Sequence, residues 1–80
     1  MFEKAIRKKT GKSIEEIFNA QLKLKEGDSI FLPWNSFTKY KIKRICSEEI
    51  NSKKVAMDDR IYYRHDSWME RSEVIPVNLL

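Results

Sequence analysis

Between Ser13 and Lys23 the apolar residues Ile14, Ile17, Phe18 and Leu22 recur at spacings of three and four, and Glu15, Glu16, Asn19 and Lys23 fall outside that stripe. This period predicts an amphipathic helix that covers something apolar. Its start is marked by a Ser13-x-x-Glu16 capping box, in which hydroxyl and carboxylate each satisfy an orphan backbone N–H of the first turn. Upstream, Phe2, Ala5 and Ile6 lie at helical spacing among good helix formers, predicting a short first helix over 2–9 that Gly11 ends. Downstream, Lys25-Glu26-Gly27-Asp28 reads as the exit turn, with Gly27 supplying a positive φ.

From Ser29 onward the period falls to two. Ser29 to Trp34 is β-prone, and Pro33 confines that strand to an edge, a bulge or its own end. Asn35 and Ser36 read as a turn. Thr38 to Ile45 then alternates, with Lys39, Lys41 and Lys43 on one face and Tyr40 and Ile42 on the other. Ser47 to Lys54 is polar and turn-like, and 54–57 and 60–64 read as strands or as one hairpin around Asp58-Asp59. Ser67 and Glu70 repeat the Ser-x-x-Glu spacing, compatible with a single helical or 3₁₀ turn. Val74 to Val77 closes the chain as a short strand that Pro76 places at an edge. The expected architecture is α+β: a single domain over 1–80, helical and basic over 1–25 and antiparallel β over 28–77. One or two N-terminal helices pack on a small, strongly bent antiparallel sheet of four to five strands.

The order of elements from Gly27 to Val77 resembles SH3-like small barrels, in which a 3₁₀ turn precedes the closing strand. The acidic and aromatic peptide-binding signature of true SH3 domains is missing, so their polyproline preference does not carry over. Leu22 to Ile30 (LKLKEGDSI) resembles the helix-to-strand turn of swapped-hairpin DNA-binding transcription factors of the AbrB type. Those domains place a strand before their helix, where Phe2 to Ser13 here offers a second helix. In its Lys-, Ile- and Asn-rich usage and its length, the chain resembles small phage or mobile-element proteins that modulate a host machine.

Composition narrows the chemistry. A chain of 80 residues, 41% hydrophobic and 35% charged, is ordinary for a globular domain. At this size about 60 to 65% of the unfolded chain's surface is buried. Cys46 is the only cysteine and His65 the only histidine, which excludes an internal disulfide and leaves a structural zinc site short of ligands. No apolar run approaches the ~20 residues that span a bilayer, and the N-terminus lacks the apolar segment of a signal peptide, so a cytoplasmic location is expected. The net charge of +4 is uneven: residues 1–25 hold seven Lys/Arg against three Glu, and each remaining third is balanced.

Each candidate chemistry lacks a component. Thr10-Gly11-Lys12-Ser13 matches the tail of a phosphate-binding loop, but Ile6 stands where the first glycine is required. His65-Asp66 has no further histidine to complete a metal or general-base site, and Cys46 has no histidine partner and reads as a small buried hydrophobe. No enzyme activity and no cofactor are expected. The leading expectation is a non-enzymatic regulator or inhibitor that docks on a larger host protein through Trp34, Tyr62, Tyr63 and Trp68, aromatics in excess of what one core can absorb. Adjacent Tyr62 and Tyr63 must point to opposite faces of a strand. The alternative is a nucleic-acid-binding regulator contacting phosphates through Arg7, Lys8, Lys9, Lys12, Lys39, Lys41 and Lys43.

Overall fold

The computed structural model describes the backbone of residues 3–47, 49–50 and 53–80; Phe2, part of the expected first-helix stripe, lies outside the described residues, as do 48 and 51–52 of the expected polar turn. Helix α1 spans Glu3–Thr10 and α2 spans Ile14–Leu22. Gly11, at φ 69°, caps α1 by donating its N–H to Arg7 O at 2.9 Å, a left-handed cap that only glycine adopts freely. The capping box opens α2 as expected: Glu16 N donates to Ser13 Oγ at 3.3 Å and Ser13 N to Glu16 Oε1 at 3.5 Å.

The buried stripe of α2 differs from the expected one. Ile17 and Gln21 are the buried residues of the helix, Leu24 follows on the same line, and Phe18 and Leu22 face outward. Spacings of four and three carry Ile17 to Gln21 and Leu24, a face rotated by one residue from the apolar count. Polar Gln21 belongs inside because its Nε2 donates to Ser72 O and Val74 O, both at 3.0 Å.

Strand β1 (Ser29–Leu32) pairs antiparallel with β2 (Asn35–Lys41) on one side and with β8 (Ile75–Pro76) on the other. The turn of the first hairpin is Pro33-Trp34, since Leu32 pairs with Asn35, and not Asn35-Ser36. Proline's fixed φ suits the first corner of such a turn, and its missing N–H costs the sheet nothing there. Asn35 instead turns its side chain to accept from Phe37 N at 3.0 Å. The expected strand over 38–45 divides. β2 ends at Lys41, and β3 (Arg44–Cys46) pairs with β6 (Arg60–Tyr62), which pairs with β7 (Trp68–Glu70). At the step, Ile42 N donates to Asp28 O at 2.9 Å, toward β1, and Lys43 N donates to Tyr62 O at 2.7 Å, toward β6.

The result is α+β with two helices and two three-stranded antiparallel sheets, β2-β1-β8 and β3-β6-β7, in place of one sheet of four to five strands. A further ladder joins β4 (Glu49–Ile50) to β5 (Lys53–Lys54) where a polar turn was expected. The hairpin around Asp58-Asp59 does not form. Ala56–Asp58 is a 3₁₀ turn, closed by Asp58 N to Val55 O and Asp59 N to Ala56 O, both at 3.0 Å. The Ser67–Glu70 spacing forms no helical turn either, since Trp68–Glu70 is strand. The 3₁₀ turn lies one element later, at Arg71–Glu73, where Glu70 N donates to Glu73 Oε1 at 3.1 Å.

Two cores follow from this layering. Ile30, Leu32, Ile42, Ile61, Met69 and Val74 gather with Leu24 between the sheets, with Tyr40, Ile45 and Tyr63 packed against them. On the other side of β1, Phe31 and Ile75 meet Ile6, Ile17 and Leu79, so the helices cover that face. Successive residues of a strand point to opposite faces, and a central strand with both faces covered reads as an unbroken apolar run, as Ile30-Phe31-Leu32 does.

Arg71 and Asp59 are buried between these layers. Arg71 Nη1 donates to Gln21 O at 2.8 Å and Leu24 O at 2.9 Å, and Nη2 donates to Asp59 Oδ2 at 3.1 Å. Removing one partner of such a pair leaves an uncompensated buried charge, so Arg71→Leu should lower the unfolding free energy by about 3–5 kcal/mol. Urea titration of R71L, D59L and the double variant checks this, and the double variant should lose clearly less than the sum of the two singles.

Candidate interaction surfaces

The sheet β3-β6-β7 buries one face and exposes the other. Ile45, Ile61 and Met69 form the inward row, paired across the strands, and their neighbours in sequence face outward. The register sets Arg44 opposite Tyr62 and Tyr62 opposite Trp68 in one outward row, and Cys46 opposite Arg60 and Arg60 opposite Glu70 in the next. The Arg44 guanidinium lies 3.9 Å from the Tyr62 ring centroid and that of Arg60 lies 4.5 Å from Trp68. Such stacking holds cations and rings in place at little cost in hydration, because a guanidinium is weakly hydrated and planar. Trp68 keeps 41% of its surface exposed. Cys46 is half-buried on this outward face and not a core residue.

The aromatics expected to act together separate. Tyr62 lies in the outward row. Tyr63 packs on the core between the sheets, edge-on to Tyr40 with ring centroids 5.2 Å apart. Arg64 closes that corner, 5.5 Å above the Tyr40 ring and 3.3 Å from its hydroxyl oxygen. Trp34 stands in the first hairpin turn, 61% exposed, and Phe37 on β2 is 96% exposed. Arg44 and Arg60 were not singled out as contact residues from sequence. Arg44 and Arg60 are legible only once the register sets them beside Tyr62 and Trp68.

The basic residues also divide by role. Lys4, Arg7, Lys8 and Lys12 surround a shallow depression at Gly11, at spacings that place them on one face of α1 and its exit. Lys9, one position off that face, donates its Nζ to Pro33 O and so ties the end of α1 to the hairpin turn. Lys39 and Lys41 are exposed on β2, alternating with Tyr40, and Lys43 is exposed at the step between the sheets.

Among the described residues little else on the surface bears chemistry. A second depression, between the α2 exit and the last 3₁₀ turn, is lined by Ala20, Lys23, Leu24, Asp28, Ser29, Val77 and Asn78. His65 and Asp66 are exposed in the β6–β7 loop, where Asp66 Oδ1 accepts from Ser67 Oγ at 3.4 Å. Among the described residues no group of three or more His, Cys, Asp or Glu could hold a metal ion, and no helix is long and apolar enough to cross a membrane. No protein-family model, curated protein or solved structure matches the chain.

Tyr63 and Trp68 should respond differently to truncation. Tyr63→Ala removes a ring from the core and should cost about 2–4 kcal/mol, somewhat below the loss for a fully buried aromatic. Trp68→Ala on the outward row should cost about 1 kcal/mol or less. Thermal unfolding of both variants followed by circular dichroism checks the order.

Proposed function

We propose that the protein is a small non-enzymatic binding protein that docks on a larger protein through the outward row Arg44, Tyr62 and Trp68, flanked by Arg60. The carrying observation is the composition and exposure of that row. Tryptophan, tyrosine and arginine are the residue types in which interface energy concentrates, and here they lie on a rigid, hydrogen-bonded sheet. Their order before binding reduces the entropy lost on docking. Two arginines against one glutamate favour a partner surface that offers carboxylates around an apolar centre able to cover Trp68.

The strand order supports placing this face on an SH3-like small barrel. The chain passes from the first sheet into the second at Ile42-Lys43, between β2 and β3, β6 and β7 follow as a meander with β3, and a 3₁₀ turn leads into β8, which returns to β1. In this reading the helices cover the outside of the β1 sheet and leave the outer face of the β6 sheet for a partner.

The test uses wild type and an Arg44→Gln/Trp68→Thr variant, both immobilised and exposed to the same cell lysate. A protein captured by wild type is then purified and its affinity for each form measured by calorimetry. The variant should bind at least tenfold more weakly with a nearly unchanged melting temperature. Equal binding to both forms, or no protein captured by wild type, would overturn the assignment of this face.

A further inference from the structure

The charge excess of the N-terminal third is not used by the docking face, and its geometry points to a different ligand. Lys4, Arg7, Lys8 and Lys12 line one depression, all are exposed, and none makes an ion pair with a carboxylate of the described residues. From Lys4 to Lys12 the chain advances through two helical turns and the Gly11 cap, about 12 Å along the axis at 1.5 Å per residue. Phosphates of a nucleic-acid strand recur several times over that length. The depression leaves room for a backbone to approach, since nothing lies within 4 Å of where a side chain at Gly11 would begin. The cluster is also held in place. Ile6 is buried under the helix, Thr10 Oγ1 donates to Ile6 O at 2.8 Å and accepts from Lys12 N at 3.2 Å, and Lys9 anchors the helix end to Pro33 O. Lys39 and Lys41 add cations on the same side of the first sheet: Lys41 pairs with Ser29, whose face is that of Phe31, on which the helices pack.

We propose that this face of α1 binds nucleic acid through its phosphates without regard to base sequence. The four side chains are three ammonium groups and one guanidinium, with no aromatic, amide or carboxylate among them, so they supply backbone contacts in preference to base readout. Affinity then comes from counterion release and falls steeply with salt. This surface and the Arg44–Trp68 row lie on different elements, and neither proposal depends on the other.

The test measures fluorescence anisotropy of a labelled 20-bp DNA duplex of arbitrary sequence from about 50 to 200 mM salt. Wild type should bind with a log–log salt slope of about −3 to −4, the value for three to four neutralised phosphates. Lys8→Gln/Lys12→Gln should weaken binding at least tenfold and reduce the slope by about 2. Lys23→Gln/Lys25→Gln removes the same charge at the far end of α2 and should change affinity no more than about twofold. Circular dichroism confirms that both variants keep their helices. Equal losses in the two variants would show attraction to net charge only and overturn the site, as would no binding at 50 mM salt or equally tight binding to polyglutamate.

Discussion

The structure depends on one buried cation. Arg71 reaches from the 3₁₀ turn after β7 to the carbonyls of Gln21 and Leu24 at the end of α2, and to the Asp59 carboxylate before β6. It thereby joins the helix layer, the start of the second sheet and the crossing back to β8. A positive charge is favoured at a helix C-terminus, where unsatisfied carbonyls carry the negative end of the macrodipole. Its own N–H donates to Asp59 O at 2.8 Å, so backbone and side chain engage the same partner. Gln21 makes the reciprocal contact, donating to the carbonyls of Ser72 within that turn and Val74 just after it. A chain with no disulfide and few buried side chains gains its unique arrangement here, since a slip of any of these elements would strand a charge in the core.

The same network explains where sequence reasoning succeeded and failed. Local signals were legible: the Ser13–Glu16 box and the Gly11 exit follow from contacts within a few residues, and Gly27 at φ 90° and the alternation of lysines with Tyr40 and Ile42 follow from backbone conformation. The face of α2 was not legible, because Gln21 counts as polar until Ser72 and Val74, some fifty positions away, supply acceptors. Arg71 and Asp59 carried no signal for the same reason: their burial exists only through one another. The second Ser-x-x-Glu spacing misled because the cross-strand pairing of Trp68 with Tyr62 overrides a weak helical start.

The surfaces follow from the layering. The helices occupy one face of the first sheet, and the second sheet keeps an outward face on which arginine planes lie against aromatic rings. Its residues are spread from Arg44 to Glu70 in sequence, and only the register brings them into rows. The basic face of α1, by contrast, is contiguous in sequence and was visible as a charge count, although the diversion of Lys9 to Pro33 O was not. One surface is thus a product of strand pairing and the other of helix periodicity.

The step at Ile42-Lys43 carries a consequence for how these surfaces coexist. Inward positions are even-numbered through Tyr40 of β2 and Ile42 just after it, and odd-numbered in β3, where Ile45 faces the core. The alternation therefore changes phase within the step, and Lys43 and Arg44 both face outward in succession. Had the alternation run on unbroken, Ile45 would be presented to solvent and Arg44 would be driven into the core. This phase change decides which side chains of β3 are core and which are surface. Gaining or losing one residue at the step would exchange the two sets from Arg44 to Cys46, so length at this point is as constrained as residue type.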